Sequence, residues 1–309
     1  MIDKDKADNK ADIIKTSCGY VGIIGQPNVG KSTLLNNLIG QKLSITCKKA
    51  ATTRHKIIGI LTEALTQIVF VDTPGISFDN KTAMTRYLNR AALDVLGGMH
   101  VLLLVLNRLG EKEEQIIEAL KKAQLDIPVI AVVNKVDMLK DKTRLLPLFQ
   151  QISEMYLFAS VIPVSAKTGD GIAELKKEIN SYLPNSEFYY PEDSFTNHSE
   201  RFLSQELIRE QLFRLLGDEL PYALTVEIIH YKYIENKNRV DISANIYVAK
   251  ASHKQMVIGK GGLKLKQVGI GSRKEIEKLL GNKVYLQLWV RVRENWSDDQ
   301  RALGELGYK

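Results

Sequence analysis

Gly25-Gln26-Pro27-Asn28-Val29-Gly30-Lys31-Ser32 is the stretch on which the reading of this chain turns. Residues 18–24 before it have the apolar character of a buried strand, and residues 33–39 after it carry apolar side chains at helical spacing. A strand, a glycine-bounded loop and a helix in that order form an anion cradle. Gly25 and Gly30 allow a turn tight enough for successive N–H groups to face one point, where the helix dipole adds positive potential. Lys31 then reaches the β- and γ-phosphates of a nucleoside triphosphate, and Ser32 Oγ is a hard oxygen for magnesium. Gln26, Pro27, Asn28, Val29 and Thr33 complete the loop and its first helical turn.

Working outward, strand-like apolar runs at 20–24, 57–61, 68–71, 101–106, 129–133 and 161–164 alternate with helical stretches at 31–39, 84–96, 111–123, 142–158 and 172–182. That alternation predicts an α/β fold with a mainly parallel sheet and helices on both faces, whose ligands bind at the carboxyl ends of the strands. Each remaining motif sits just past such an end. Asp72-Thr73-Pro74-Gly75 places a carboxylate where it can hold magnesium through water, and a Gly75 N–H near a γ-phosphate. Asn134-Lys135-Val136-Asp137 carries base choice. The Asp137 carboxylate accepts from guanine N1–H and N2–H, whereas adenine would set a lone pair against it, a mismatch that discriminates strongly. Asn134 braces the loop, and the Lys135 stem lies along the base. In Ser165-Ala166-Lys167 the Ala166 N–H is expected to donate to guanine O6.

Taken in order, these motifs resemble those of the translation-factor-like GTPases. Residues 43–55, Leu43-Ser44-Ile45-Thr46-Cys47-Lys48-Lys49-Ala50-Ala51-Thr52-Thr53-Arg54-His55, resemble the first switch of the Era family of bacterial GTPases. The resemblance implies that Thr53 closes over the γ-phosphate and joins Ser32 and Asp72 around magnesium; the adjacent Thr52 fits the same description. Arg54 and His55 have two readings, a part in the mechanism or solvated switch residues, and isolated charges favour the second. Ile76 stands where Ras-like proteins carry a water-orienting Gln, and an alkyl chain cannot orient water. Hydrolysis of GTP to GDP and phosphate is therefore expected to be slow without a partner or cation, with Lys31, Thr53, Gly75 and Asn28 as its catalytic set. In related GTPases an Asn at the place of Asn28 helps hold potassium; bracing the loop is the other reading of that side chain.

Residues 184–199 are rich in turn formers and read as a hinge. Beyond it the pattern is helix (202–216), two strands (225–233 and 240–248), a short helix from 252, a long helix (264–280) and a strand (284–292). This α-β-β-α-α-β order, with Gly259-Lys260-Gly261-Gly262 between two helices, resembles an α+β KH domain of the second type. The glycines let a nucleic-acid backbone lie against the turn. Val257 and Ile258 are expected to give apolar contact, and Lys260, Lys264 and Lys266 positive charge, with Lys254, Arg273 and Lys274 nearby. A KH module on such a GTPase again resembles the Era family, now over residues 19–296. That implies binding near the 3′ end of small-subunit ribosomal RNA, a part in maturing the small subunit, and peripheral association with the inner membrane. The domains expected are a tail at 1–16, a P-loop GTPase domain at 17–184, a linker at 185–200 and the KH domain with its C-terminal tail at 201–309.

Composition fits without deciding. The 309 residues suit two domains, and a net charge of +7 leans towards an anionic partner. Two cysteines, Cys18 and Cys47, form no metal-ligand pattern. No apolar run approaches the roughly 18 residues of a membrane span. The expectation is a cytoplasmic monomer that binds GTP, GDP and ribosomal RNA. Its rivals are a plain nucleotide hydrolase with a passive second domain and a signalling GTPase whose basic second domain meets lipid. Residues 298–308 read as a short polar helix and tail.

Overall fold

The computed structural model of the chain describes residues 15–46, 53–76, 82–94, 97–139, 141, 143, 145–217 and 220–308. Its first half runs β1 (Ser17–Gly25), α1 (Lys31–Ile39), β2 (Ile57–Glu63), β3 (Thr66–Asp72), α2 (Ala83–Leu93), β4 (Val101–Leu106), α3 (Glu111–Ala123), β5 (Val129–Val133), α4 (Leu145–Met155), β6 (Ser160–Pro163) and α5 (Ile172–Asn180). The six strands form one sheet in the order β2-β3-β1-β4-β5-β6. Only β2 runs antiparallel to its neighbour; the remaining pairs are parallel. Strands this apolar need cover on both faces. One core packs Ile23, Phe70 and Leu103 against Leu34 of α1 and Leu175 of α5. The other packs Ile24, Leu102 and Leu104 against Ile117 of α3 and Ile152 of α4. The five parallel strands, β1 and β3 to β6, therefore bring their carboxyl ends to one rim.

The second half runs α6 (Glu200–Leu215), β7 (Leu224–Ile234), β8 (Arg239–Val248), α7 (Ala251–Ile258), α8 (Leu263–Leu280), β9 (Lys283–Val292) and α9 (Gln300–Glu305). Strands β7, β8 and β9 form a sheet with β8 central, antiparallel to β7 and parallel to β9. One face is buried under α6, α7 and α8 through residues such as Phe213, Ile242, Ile246, Val268 and Ile276.

The two halves meet along α6. It is buried on most sides, including the charged Glu206, Arg209 and Glu210. Lys42 of the first half places Nζ 2.7 Å from both Glu210 Oε2 and Glu275 Oε2 of the second. The expected linker is no free hinge. Gln67 Nε2 donates to Tyr190 O at 2.8 Å while its Oε1 accepts from the Tyr189 and Tyr190 amides, and the Ile60 amide donates to Phe195 O at 3.0 Å. The segment is strapped along β2. Residues 298–308, read as polar, are instead amphipathic: Ala302, Leu303, Leu306 and Tyr308 are buried with Trp296 against Met84 and Leu88 of α2. Their apolar side chains are too few and too close to the chain end to register as a helix period.

Candidate functional site

The loop between β1 and α1 is held by positions that admit no side chain. A Cβ on Gly25 (φ +145°) would lie 2.3 Å from Val105 O, and one on Gly30 (φ +103°) 2.2 Å from Asn134 Nδ2. Gly30 is also the left-handed N-cap of α1, so the helix starts with its first N–H groups facing the loop. Inside it Lys31 folds back, Nζ donating to Gly25 O at 3.1 Å and Gln26 O at 2.9 Å. Burial pushes the Lys31 ammonium down to about 8, against a smaller upward pull from Asp72. A buried cation bonded only to loop carbonyls is poised for an anion.

Three hydroxyls converge on one carboxylate. Asp72 Oδ2 accepts from Ser32 Oγ at 2.8 Å, from Ser44 Oγ at 3.0 Å and from Thr53 Oγ1 at 3.5 Å, and the Ser32 and Thr53 hydroxyls lie 2.8 Å apart. Asp72 Oδ1 is buried without a hydrogen-bond partner among the described residues. Burial raises the Asp72 carboxyl, and Lys31 with the three hydroxyls pulls it back. Hard oxygen donors beside an orphaned carboxylate oxygen suit magnesium, completed by water and phosphate. Thr53 thus occupies the expected position; Thr52 lies outside the described residues. Ser44 was missed by sequence reasoning. Its signal was faint: Asn36 Oδ1 of α1, eight residues earlier, accepts from the Leu43 and Ser44 amides at 2.9 Å each and fixes the segment.

A cleft of about 780 Å³ joins these groups to the third and fourth motifs, lined among others by Pro27, Asn28, Thr33, Gly75, Lys135, Asp137, Met138, Ala166 and Lys167. Asn134 is the brace: Nδ2 donates to Val29 O at 2.8 Å, and Oδ1 accepts from the Lys135 amide at 2.7 Å. Lys135 Nζ spans to Asn28 O at 2.5 Å, and Ser165 Oγ donates to Asp137 Oδ1 at 2.7 Å, aiming the carboxylate. The Ala166 N–H, expected to donate to guanine O6, lines the cleft and here donates to Asn134 Oδ1 at 2.9 Å. Val29 and Thr73 turn their side chains inward, Thr73 Oγ1 donating to Ile23 O at 2.8 Å, which leaves only their backbone for a ligand. Gly75 packs directly on Pro27, where a Cβ would meet Pro27 N at 2.7 Å. Ile76 is buried in an apolar cluster with Ile24 and Leu104, turned away from water altogether.

Arg54 and His55 overturn the solvated reading. Arg54 is 1% exposed and buried in the second half of the chain. Its Nη1 donates to Leu224 O at 2.8 Å and to Tyr308 Oη at 3.3 Å, and its guanidinium lies 5.8 Å from the ring centroids of both Phe213 and Trp296. His55 stacks on Tyr308 with centroids 4.8 Å apart. Burial pushes the His55 imidazole down to about 4, so it is neutral there. No local pattern reports contacts made 170 and 254 residues away.

In the second half, Gly259 (φ 73°), Gly261 (φ 59°) and Gly262 (φ 78°) form the turn between α7 and α8. Lys260, Lys264 and Lys266 are exposed around it, and Ile258 is half-buried. Val257 is not an apolar contact as expected: it is fully buried in the core, at the helical spacing that seats α7 on the sheet. The open groove lies further along, about 470 Å³ between α8 and β9, lined by Gly262, Leu265, Lys266, Gly269, Ile270, Arg273, Leu286 and Leu288. Its signal was the i, i+3, i+4 row on α8 of apolar, small and basic residues. An apolar floor with Lys266 and Arg273 at its margin suits unstacked bases and their phosphates.

Comparison with known proteins agrees with both halves of the chain. Residues 20–135 match the family described as 50S ribosome-binding GTPase, and residues 219–297 match the KH domain. The chain is 44% identical to GTPase Era of Pasteurella multocida (strain Pm70) over 300 residues, 96% of this chain and 97% of that protein. It is 44% identical to GTPase Era of Coxiella burnetii (strain Dugway 5J108-111) over 295 residues, 95% and 99% of the two chains. A crystal structure of an Aquifex aeolicus Era variant bound to GDP.AlF4- superposes with a TM-score of 0.91 at 36% identity, covering 95% of this chain and 99% of that one. A crystal structure of Era with MgGDPNP and nucleotides 1506–1542 of 16S ribosomal RNA gives the same TM-score, 0.91, identity, 36%, and coverage, 95% and 99%. Matched by both family models and 44% identical to these relatives over nearly its whole length, the chain belongs to the Era family of GTPases.

Proposed function

We propose that this GTPase is a nucleotide-driven switch that binds the 3′ end of small-subunit ribosomal RNA in the α8–β9 groove and assists maturation of the small ribosomal subunit. The observation that carries the reading is the adjacency of Thr53 and Arg54. One hydroxyl sits among Ser32 and Asp72 in the nucleotide cleft, and the next side chain is buried among Leu224, Phe213 and Tyr308 of the KH half. Whatever orders Thr53 moves Arg54. Ser32, Thr53 and Asp72 would hold the magnesium that comes with the nucleotide, which would neutralise phosphate charge, and the Lys31 ammonium would add a second positive charge to the phosphates. Asp137 selects guanine, and Asn134 fixes the loops around it. With Ile76 buried, no side chain at that position orients water, so intrinsic hydrolysis is slow.

Coupling between two sites is reciprocal. A single-stranded RNA ending in the small-subunit 3′ sequence is expected to bind the protein with different affinity in a non-hydrolysable GTP analogue and in GDP. Equal affinities would overturn the switch and leave two independent sites. Loss of RNA binding in Gly261→Asp, with melting unchanged, would dispose of a passive second domain. Among the described residues no helix is long and apolar enough to cross a membrane.

A further inference from the structure

Strand β9 has two faces. Leu286 and Leu288 line the α8–β9 groove, so by strand alternation Tyr285, Gln287, Trp289 and Arg291 stand on the opposite face of the sheet. That face carries no covering helix over these positions: Tyr285 is 47% exposed and Trp289 41%. Register places Lys232, Asp241 and Tyr285 in one row, His230, Ser243 and Gln287 in the next, and Glu227, Asn245 and Trp289 in the third. The side chains are aromatic, polar and cationic. Arg239 lies over the Tyr285 ring, its guanidinium 5.0 Å from the centroid. Both acids of the three rows are engaged, Asp241 with Arg239 at 2.6 Å and Glu227 with the Tyr247 hydroxyl at 2.9 Å. Asp241 is neutralised by Arg239, Glu227 keeps its charge, and Lys232 and Arg291 add two positive charges on the same face. Beside Trp289, Asn245 is 4% exposed, and its Oδ1 has no hydrogen-bond partner among the described residues.

We propose that this open sheet face is a second contact for single-stranded RNA, with Trp289 as a stacking platform. The inference rests on the RNA reading of the KH half and extends it. Strand β9 pairs only with β8 and forms the sheet edge. A chain that leaves the groove over Leu286 and Leu288 therefore has one strand to round before it meets Trp289. Aromatic faces accept any base, cations track the backbone, and neither requires a particular sequence. A protein partner would call for aliphatic side chains, which these three rows lack.

Tryptophan emission tests it directly, because the chain has two tryptophans and Trp296 is fully buried. The probe is a 20-nucleotide single-stranded RNA with the small-subunit 3′ sequence, titrated into the full chain and followed in parallel by filter retention. Quenching is expected in the wild type, and it should persist at higher RNA concentration in Gly261→Asp. Trp289→Ala should weaken RNA binding about five- to tenfold with an unchanged melting temperature. RNA retained without any change in emission, and with wild-type affinity in Trp289→Ala, would overturn the sheet face and leave the groove standing. No retention by the wild type at all would overturn the RNA reading itself.

Discussion

Lys31 is the residue whose chemistry is most out of its ordinary range. Its ammonium is held near a pKa of about 8 by burial, from a usual 10.5. A bound polyphosphate restores the charge, so the pKa rises on binding. The sign follows: above pH 8 the empty site has lost a proton that the filled site keeps, so nucleotide binding takes up protons and weakens as pH rises. Calorimetry at pH 8.5 in two buffers of different ionisation heat should show that uptake, and Lys31→Arg, charged at all these pH values, should abolish it. Asn28, at φ 66° with its carbonyl held by Lys135, lies in the cleft lining with its amide available. If it helps hold potassium, GTP turnover in the wild type is faster in potassium than in sodium, and Asn28→Ala removes the difference. Identical rates in both salts would assign the side chain to the loop alone.

At the scale of elements, the glycine turn between α7 and α8 separates two effects that sequence motifs merge. A Cβ on Gly259 would meet the Lys264 side chain at 2.8 and 2.9 Å, whereas one on Gly261 meets nothing within 4 Å. Both have positive φ, but Gly261 is left-handed, which costs an L-residue about 1–2 kcal/mol, whereas Gly259, at φ 73° and ψ 175°, lies in a region essentially confined to glycine. Chemical denaturation should therefore show Gly259→Ala less stable than Gly261→Ala, by the added clash. The turn itself, like the phosphate loop and the Asn134 and Asp72 motifs, was legible because each is a contiguous run with its chemistry in one place. Elements were legible where periodicity was strong: α1, α3 and β4 lie where the apolar spacing puts them. Val257 was misread for a reason no local pattern carries. Whether an apolar side chain faces a ligand or a core depends on what covers it, and the cover comes from elsewhere in the chain.

The molecule as a whole is tied at Arg54. Removing its guanidinium leaves the Leu224 carbonyl and the Tyr308 hydroxyl without that donor and empties the space between Phe213 and Trp296. Loss of charge-assisted hydrogen bonds of this kind costs about 1.5–3 kcal/mol. Arg54→Ala is accordingly expected to lower the melting temperature and, more tellingly, to bring the ratio of RNA affinities in GTP analogue and GDP close to one. An unchanged ratio would make the contact a clamp with no part in signalling. The strap along β2 has a separate outcome. The outermost strand of a sheet offers unused amide and carbonyl groups to any passing chain. Here the Ile58 and Ile60 amides and the Ile58 carbonyl are taken by His198, Phe195 and Thr196 of the same molecule. A fragment cut at residue 184 would bare that margin, and catalytic domains prepared without the connecting segment should stick to one another edge to edge where the intact chain does not.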